Sequence, residues 1–239
     1  DRIISERKHH SEVRHNDLLE MLMSTRDEET GEAMNDQALR DEVMTMFVAG
    51  HDTTAAALTW VIYLLDKNPQ VKQRMLSELA LLNLEGSLTM AHLNELPYMK
   101  MVIQESMRLL PSVWAFGRKA KEEDEIMGMK IMAGQSINIP IYCVHRHPEF
   151  WERPNEFYPE HFLPEAIKAR DKFAYMPFSL GQHRCIGEHF ALMEIQMVMI
   201  RLYRQFDIQL KAEEPLTFLP LVTLKPLHPI SFQLKTKSR

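Results

Sequence analysis

Ten residues in the C-terminal half carry the strongest chemical signal: Phe178-Ser179-Leu180-Gly181-Gln182-His183-Arg184-Cys185-Ile186-Gly187. One cysteine stands between two glycines and beside basic residues, and a strongly apolar helical run follows. Such a loop could hold one thiolate beneath a flat metal cofactor. Gly181 can take a positive φ that other residues resist, and Gly187 lets backbone approach a planar ligand with no side chain between. Arg184, and His183 when protonated, raise the local positive potential. The helix opening near Gly187 also favours a negative sulfur. A thiolate on heme iron pushes electron density toward bound dioxygen and favours O–O cleavage. The competing reading of a lone cysteine is a small buried hydrophobe.

Three further groups could do chemistry. Ala49-Gly50-His51-Asp52-Thr53-Thr54 interrupts an otherwise apolar helical run. Met46, Ala49, Thr53 and Ala57 fall on one face at spacings of three and four. Small residues beside a threonine leave room for a small ligand, and an acid next to the hydroxyl could bring in water and pass protons. Thr53 could instead bond back to the Ala49 carbonyl, as helical threonines commonly do. Glu105 and Arg108, three apart, can pair on one helix face; an exposed pair contributes only ~0.2–0.5 kcal/mol. The flanking Leu96, Val102, Ile103, Leu109 and Leu110 predict a partly buried helix, in which the pair needs further partners. Cys143, His145 and His147 alternate and could set three ligands on one strand face. A fourth ligand at zinc-like spacing is not apparent, which leaves a loop histidine and a buried cysteine as the alternative.

These groups must be positioned by mainly helical elements. Asp1–His15 reads as a charged helix already in progress and Asp17–Thr25 as a short amphipathic one, followed by a polar loop around Gly31. Asn35 or Asp36 can cap a long helix to about Lys67. Asn68-Pro69 separates it from a helix over Gln70–Leu82. Gly86–Glu95 is a loop with room for a helical turn, and Pro97 opens a helix that Pro111 stops. A hairpin is expected from Glu125–Ile131 and Ser136–Pro140 around Ala133-Gly134. Glu149–Pro164 is an ordered loop. Gly187–Phe206 is a helix with Phe190, Met193, Met197 and Ile200 on one stripe. Ile208–Lys211, Leu221–Leu224 and Ile230–Leu234 read as short antiparallel strands.

The bulk numbers agree with a sizeable helical core. Of 239 residues, 45% are hydrophobic and 26% charged, with 17 methionines against 8 glycines. The net charge of −5 gives no electrostatic case for nucleic acid. Two cysteines imply no disulfide framework. No run is long and apolar enough to span a bilayer. The chain opens on Asp1, so a longer parent with an N-terminal part is expected.

The Phe-x-x-Gly-x-x-x-Cys-x-Gly frame of residues 178–187 resembles the heme-binding loop of the cytochrome P450 superfamily, the heme-thiolate monooxygenases. Ser179 stands where that family often has glycine, which predicts a slightly stiffer loop. The resemblance implies a cytochrome P450 fold, mainly α with small antiparallel β pieces, and residues 1–239 as the C-terminal part of one catalytic domain with its N-terminal part missing. It implies heme b (iron protoporphyrin IX), with Cys185 as the metal ligand and Phe178, Gly181 and Gly187 shaping the loop. Arg118 and His183 become propionate partners. Asp52 and Thr53 become the acid–alcohol pair that handles protons, and Ala49 and Gly50 widen the groove for dioxygen. Glu105 and Arg108 are tied to the loop Phe157–Phe162, where His161 replaces the usual arginine and predicts a weaker, pH-sensitive network. Val113, Ala115, Val222 and Thr223 match substrate-lining positions.

The implied reaction inserts one oxygen atom from O2 into a lipophilic small molecule. The electrons come from a ferredoxin or an NAD(P)H-dependent reductase, since the chain carries no flavin or nicotinamide fingerprint. A basic patch around Lys172 and Arg184 is the expected docking face. The alternatives are a peroxide-driven or isomerising heme-thiolate enzyme, and a truncated, noncatalytic helical module. The location is cytoplasmic if no membrane anchor precedes the chain.

Overall fold

A computed structural model describes residues 2–10, 13–84, 86–211 and 216–237. They fall into two compact units, Asp1–Asp52 and Thr53–Arg239.

In the first unit α1 spans Arg2–His9 and α2 spans Leu18–Ser24. The charged helix expected to reach His15 ends at His9; Asp1, Ser11 and Glu12 lie outside the described residues. The Asp17 carboxylate caps α2 by accepting the Glu20 N–H at 3.0 Å and also pairs with Arg7. Chiefly through Arg7, its pKa is lowered to about 2. The long helix α3, Asp36–Lys67, starts here and continues into the second unit. Of the two candidate caps, Asn35 takes the role: its side chain accepts the Ala38 N–H at 2.8 Å.

In the second unit α4 (Pro69–Leu81), α5 (Met90–Asn94) and α6 (Pro97–Leu109) follow α3. The Glu78 carboxylate of α4 accepts the Tyr98 and Met99 N–H groups at 2.7 and 2.8 Å. Two donors with no partner inside the first turn of α6 are thereby satisfied by a neighbouring helix.

The strands depart from expectation. β1 is Phe116–Lys119, β2 Asp124–Ile126, β3 Met129–Ile131 and β4 Ser136–Ile139. The run over 125–131 is itself a hairpin, with β2 against β3 in the register Asp124↔Ile131. Its turn is Met127-Gly128, with φ of 51° and 79°. Two positive φ angles in a two-residue turn match the twist of the flanking strands. β4 pairs instead with β1, Phe116 opposite Ile139.

α7 (Ile141–Val144) and α8 (Pro164–Ala169) are short helices that the sequence pattern does not announce. α9 (Glu188–Gln205) leads into β5 (Phe206–Leu210), β6 (Phe218–Pro220), β7 (Leu224–Pro226) and β8 (Phe232–Thr236). β5 pairs antiparallel with β8, and β6 with β7. Residues 221–223, expected as strand, are the turn between β6 and β7.

The core joins Trp60, Val61 and Leu65 of α3, Met75 and Leu79 of α4, Val102 and Ile103 of α6, and Ile195, Met199 and Tyr203 of α9. Of the stripe expected on α9, Ile200 is buried and Met193 and Met197 pack half-buried on the core, whereas Phe190 is 65% exposed; Ile195, Met199 and Tyr203, four residues apart, are buried beside Ile200. A helix apolar on more than one face does not tell, from periodicity alone, which face is covered. The Trp60 indole N–H donates to the Leu224 carbonyl at 3.0 Å and ties α3 to β7.

Candidate functional site

Glu105 and Arg108 lie on the wholly buried face of α6. Arg108 grips the carboxylate with two parallel bonds, Nε to Oε2 at 2.7 Å and Nη2 to Oε1 at 2.8 Å. Its remaining N–H groups reach the carbonyls of His145 and Pro154 at 2.7 Å and of Glu156 at 2.9 Å. Guanidinium carries five N–H donors, and each has an oxygen here. Glu105 also accepts the Tyr158 N–H at 2.8 Å. A buried ion pair persists only when its leftover donors and lone pairs are met in this way.

His161 joins the same carboxylate, its Nδ1 at 3.1 and 3.2 Å from the two Glu105 oxygens. Its Nε2 faces the Glu152 carbonyl at 2.5 Å. Both ring nitrogens thus face oxygen atoms, one side chain and one main chain. Only one nitrogen addresses Glu105, and at longer range than Arg108 does.

The cysteine loop is held by backbone. The Cys185 N–H donates to the Phe178 carbonyl at 2.9 Å, Ser179 N–H donates to Met176 O at 3.1 Å, and Arg184 N–H to Gly181 O at 3.1 Å. Gly181 has φ of 71°, as the turn requires. Ser179 also sits at positive φ, 60°, a conformation that disfavours a β-carbon. A Cβ built on Gly187 would lie 3.9 Å from Cys185 Sγ, so the glycine leaves the side of the sulfur open. Phe178 packs half-buried on the core. Cys185 is exposed, not buried, and Ile186 beside it is 88% exposed.

Arg118 on β1 reaches this loop: Nη2 donates to Ser179 Oγ at 3.1 Å. His183 is exposed in the short turn Gly181–His183. Arg184, expected to lend positive potential to the sulfur, is bonded through Nε to Glu188 at 2.8 Å. Arg184 and Lys172, the two cations of the expected basic patch, are both exposed.

Ala49, Gly50 and Asp52 lie on α3 in the first unit and Thr53 on α3 in the second. Asp52 and Thr53 are half-buried, Ala49 and Gly50 exposed. A Cβ added to Gly50 meets nothing within 4 Å, so packing among the described residues does not demand glycine there. The Thr53 carbonyl accepts the Ser112 hydroxyl at 2.8 Å. The segments carrying Val113 and Ala115, and Val222 and Thr223, are bonded together through Leu224 N–H to Ser112 O at 2.8 Å and Trp114 Nε1 to Leu221 O at 2.8 Å. Val222 is 89% exposed, whereas Thr223 at 2% offers almost no surface.

The alternating Cys143, His145 and His147 do not share a face, because this stretch is the helical turn of α7 and its cap, not a strand. Both His145 nitrogens are engaged with backbone, and His147 and Cys143 are exposed. Among the described residues no group of three His, Cys, Asp or Glu is placed to hold a metal ion. Sequence reasoning missed Tyr175, whose hydroxyl donates to the Gln104 carbonyl at 3.0 Å, and the partners of His145. Nothing in a local pattern marks a backbone group as a distant partner.

A sequence profile described as Cytochrome P450 matches residues 1–235. The chain is 37% identical over 230 residues to "Cytochrome P450 4V2" of Rattus norvegicus, covering 95% of this chain and 44% of that protein. It is 37% identical over 220 residues to "Taurochenodeoxycholic 6 alpha-hydroxylase" of Sus scrofa, covering 87% and 43%. The chain thus spans less than half the length of these relatives. Among solved structures, the cytochrome P450DA heme domain superposes with a TM-score of 0.93 at 28% identity, over 99% of this chain and 52% of that one. The retinoic acid bound cyanobacterial CYP120A1 superposes with a TM-score of 0.91 at 26% identity, over 99% and 55%.

Proposed function

This chain belongs to the cytochrome P450 family, and from that premise we propose that it carries the cofactor-gripping elements of a heme-thiolate monooxygenase. The proposed substrates are O2 and a lipophilic small molecule, with electrons from a separate ferredoxin or NAD(P)H-dependent reductase. One observation carries the reading: the Cys185 thiol is exposed on a loop whose own backbone bonds fix its shape, chiefly Cys185 N–H to Phe178 O at 2.9 Å.

The residues present fit heme b. A single soft sulfur, with no cluster of three metal-binding side chains among the described residues, would suit one bond to a heme iron and not a multidentate ion site. Exposed Ile186 and Phe190 supply apolar surface near the sulfur in sequence, Arg118 supplies a cation suited to carboxylates, and His183 an exposed ring nitrogen. Bound there, the cofactor supplies the dioxygen chemistry, with the sulfur's electron density favouring O–O cleavage.

The chain's own residues do the rest. Cys185 donates its thiolate sulfur, and Phe178, Gly181 and Gly187 keep the loop in the shape that presents it. Asp52 and Thr53 put a carboxylate and a hydroxyl on consecutive residues of α3, a pair able to hold a water and pass its proton. Ala49 and Gly50 keep side-chain bulk from that stretch of helix. Glu105, Arg108 and His161 lock the loops around α6. Val113, Ala115 and Val222 form part of the substrate wall, with Thr223 supporting it from beneath. A cytoplasmic location, on the condition that no anchor precedes the chain, belongs to the same proposal.

The test is spectroscopic. Protein purified with ample heme supply is expected to be red and, reduced under carbon monoxide, to give the strongly red-shifted Soret band of thiolate ligation. Cys185→Ser is expected to abolish that band. Colourless protein favours the noncatalytic helical module. Turnover with peroxide but none with NADPH and a reductase favours the peroxide-driven alternative.

A further inference from the structure

His145 is fully buried at the C-terminal cap of α7, and both ring nitrogens meet backbone. Nε2 lies 2.9 Å from the Met176 amide nitrogen, which can only donate, so Nε2 carries no hydrogen. Nδ1 lies 3.2 Å from the Arg108 carbonyl, which can only accept, so Nδ1 carries the hydrogen. One tautomer of the neutral ring satisfies both, and the imidazolium would lose the Met176 bond. Arg108 returns the contact, its Nη1 donating to the His145 carbonyl at 2.7 Å. Burial acts in the same direction, pushing the pKa of the ring down to about 3.

Met176 stands two residues before Phe178, whose carbonyl accepts the Cys185 N–H at 2.9 Å. The neighbouring Tyr175 stacks on the His145 ring, centroids 5.2 Å apart, and bonds the Gln104 carbonyl of α6 at 3.0 Å. A continuous set of bonds therefore runs from the Glu105–Arg108 pair through His145 to the stem of the cysteine loop.

We propose that His145 is a positioning residue for that loop: as its Nδ1–H tautomer it bonds the C-terminal turn of α6 to Met176 and so fixes the stem from which Phe178 and Cys185 project. Its value for iron ligation rests on the function proposed above. The tautomer and the stem bond belong to the polypeptide and are read without the cofactor.

Two measurements on the protein decide it. Long-range proton–nitrogen correlation spectra of the 15N-histidine-labelled protein at pH 7 are expected to show His145 protonated at Nδ1 and bare at Nε2. Its signals are assigned by their loss in His145→Gln. Residue-resolved hydrogen exchange is expected to speed up at least tenfold at the Met176 amide in His145→Phe, which keeps aromatic bulk without nitrogens. His145→Gln, with one acceptor and one donor, is expected to recover part of that protection. The Tyr158 amide, bonded to Glu105 on the other side of the ion pair, is expected to stay unchanged. Unchanged Met176 exchange, or a ring protonated at Nε2, overturns the proposal. Should His145→Phe fail to fold, the spectrum of the unsubstituted protein and exchange in His145→Gln still decide. A protein that binds no heme yet shows the Nδ1–H tautomer and a protected Met176 would sink the functional reading and leave this one standing.

Discussion

The Glu105–Arg108 pair and the Cys185 loop stand at opposite ends of solvent exposure. The pair is wholly buried, and every guanidinium N–H ends on an oxygen. The thiol is exposed, and the residue that bears it is held through its main chain, the Cys185 N–H donating to the Phe178 carbonyl. Two buried charges survive only if the protein supplies everything water did, so their side chains are committed to the fold. The loop commits its main chain and leaves its reactive atom to a ligand. Stability and ligand chemistry should therefore separate when the two regions are altered in turn.

The largest effect is expected from Glu105→Ala, which strands the Arg108 charge in the interior. A loss of ~3–5 kcal/mol is the usual consequence of halving a buried pair, readable by denaturant titration. A loss below ~1 kcal/mol would break the comparison.

The next concerns pH. His145 has a pKa of about 3 in the folded chain against an ordinary 6.5, with burial as the main cause. The unfolded chain thus binds a proton that the folded chain refuses. Stability from this group is whole above about pH 6.5 and is lost as pH falls toward 3, by up to ~1.4 kcal/mol per pH unit. Titrations between pH 7 and 4.5 should show a shallower slope for His145→Gln than for the unsubstituted protein. Equal slopes would remove His145 from the account.

His161→Phe at pH 7 is expected to cost ~1.5–3 kcal/mol, the range for a hydrogen bond to a charged group. His161→Arg restores a charged donor and should retain most of that. The smallest effect belongs to Cys185→Ser: stability within ~0.5 kcal/mol of the unsubstituted protein, as for an exposed site. The same substitution should abolish the thiolate band. A Cys185→Ser protein destabilised by several kcal/mol would mean that the sulfur is part of the core after all.

Much of the plan was legible in one dimension. Asn35, Asn68-Pro69, Pro97 and Pro111 mark helix ends because caps and prolines act on their immediate neighbours. The loop residues announced themselves through types at short spacing, and the link between His161 and Glu105 came from resemblance. Strand pairing did not announce itself. Asp124–Ile131 and Phe116–Lys119 each alternate weakly, and the partner of β4 depends on where the chain returns, not on β4 itself. The stripe on α9 was legible in part for a related reason: Ile200 is buried and Phe190 exposed, because several faces of this helix are apolar and packing against α4, α5 and α6 selects among them.

By itself the sequence determined the identities that short-range chemistry can encode. These are the lone sulfur between two glycines, the acid and base one helical turn apart on α6, and the capped helices. Tertiary structure alone decided what satisfies them. The oxygens around Arg108 come from the main chain of His145, Pro154 and Glu156, and the tautomer of His145 is set by a carbonyl and an amide. Every residue carries those same backbone groups, so no side-chain pattern can mark which of them will be brought within 3 Å of a buried charge. That selection belongs to the path of the chain in space.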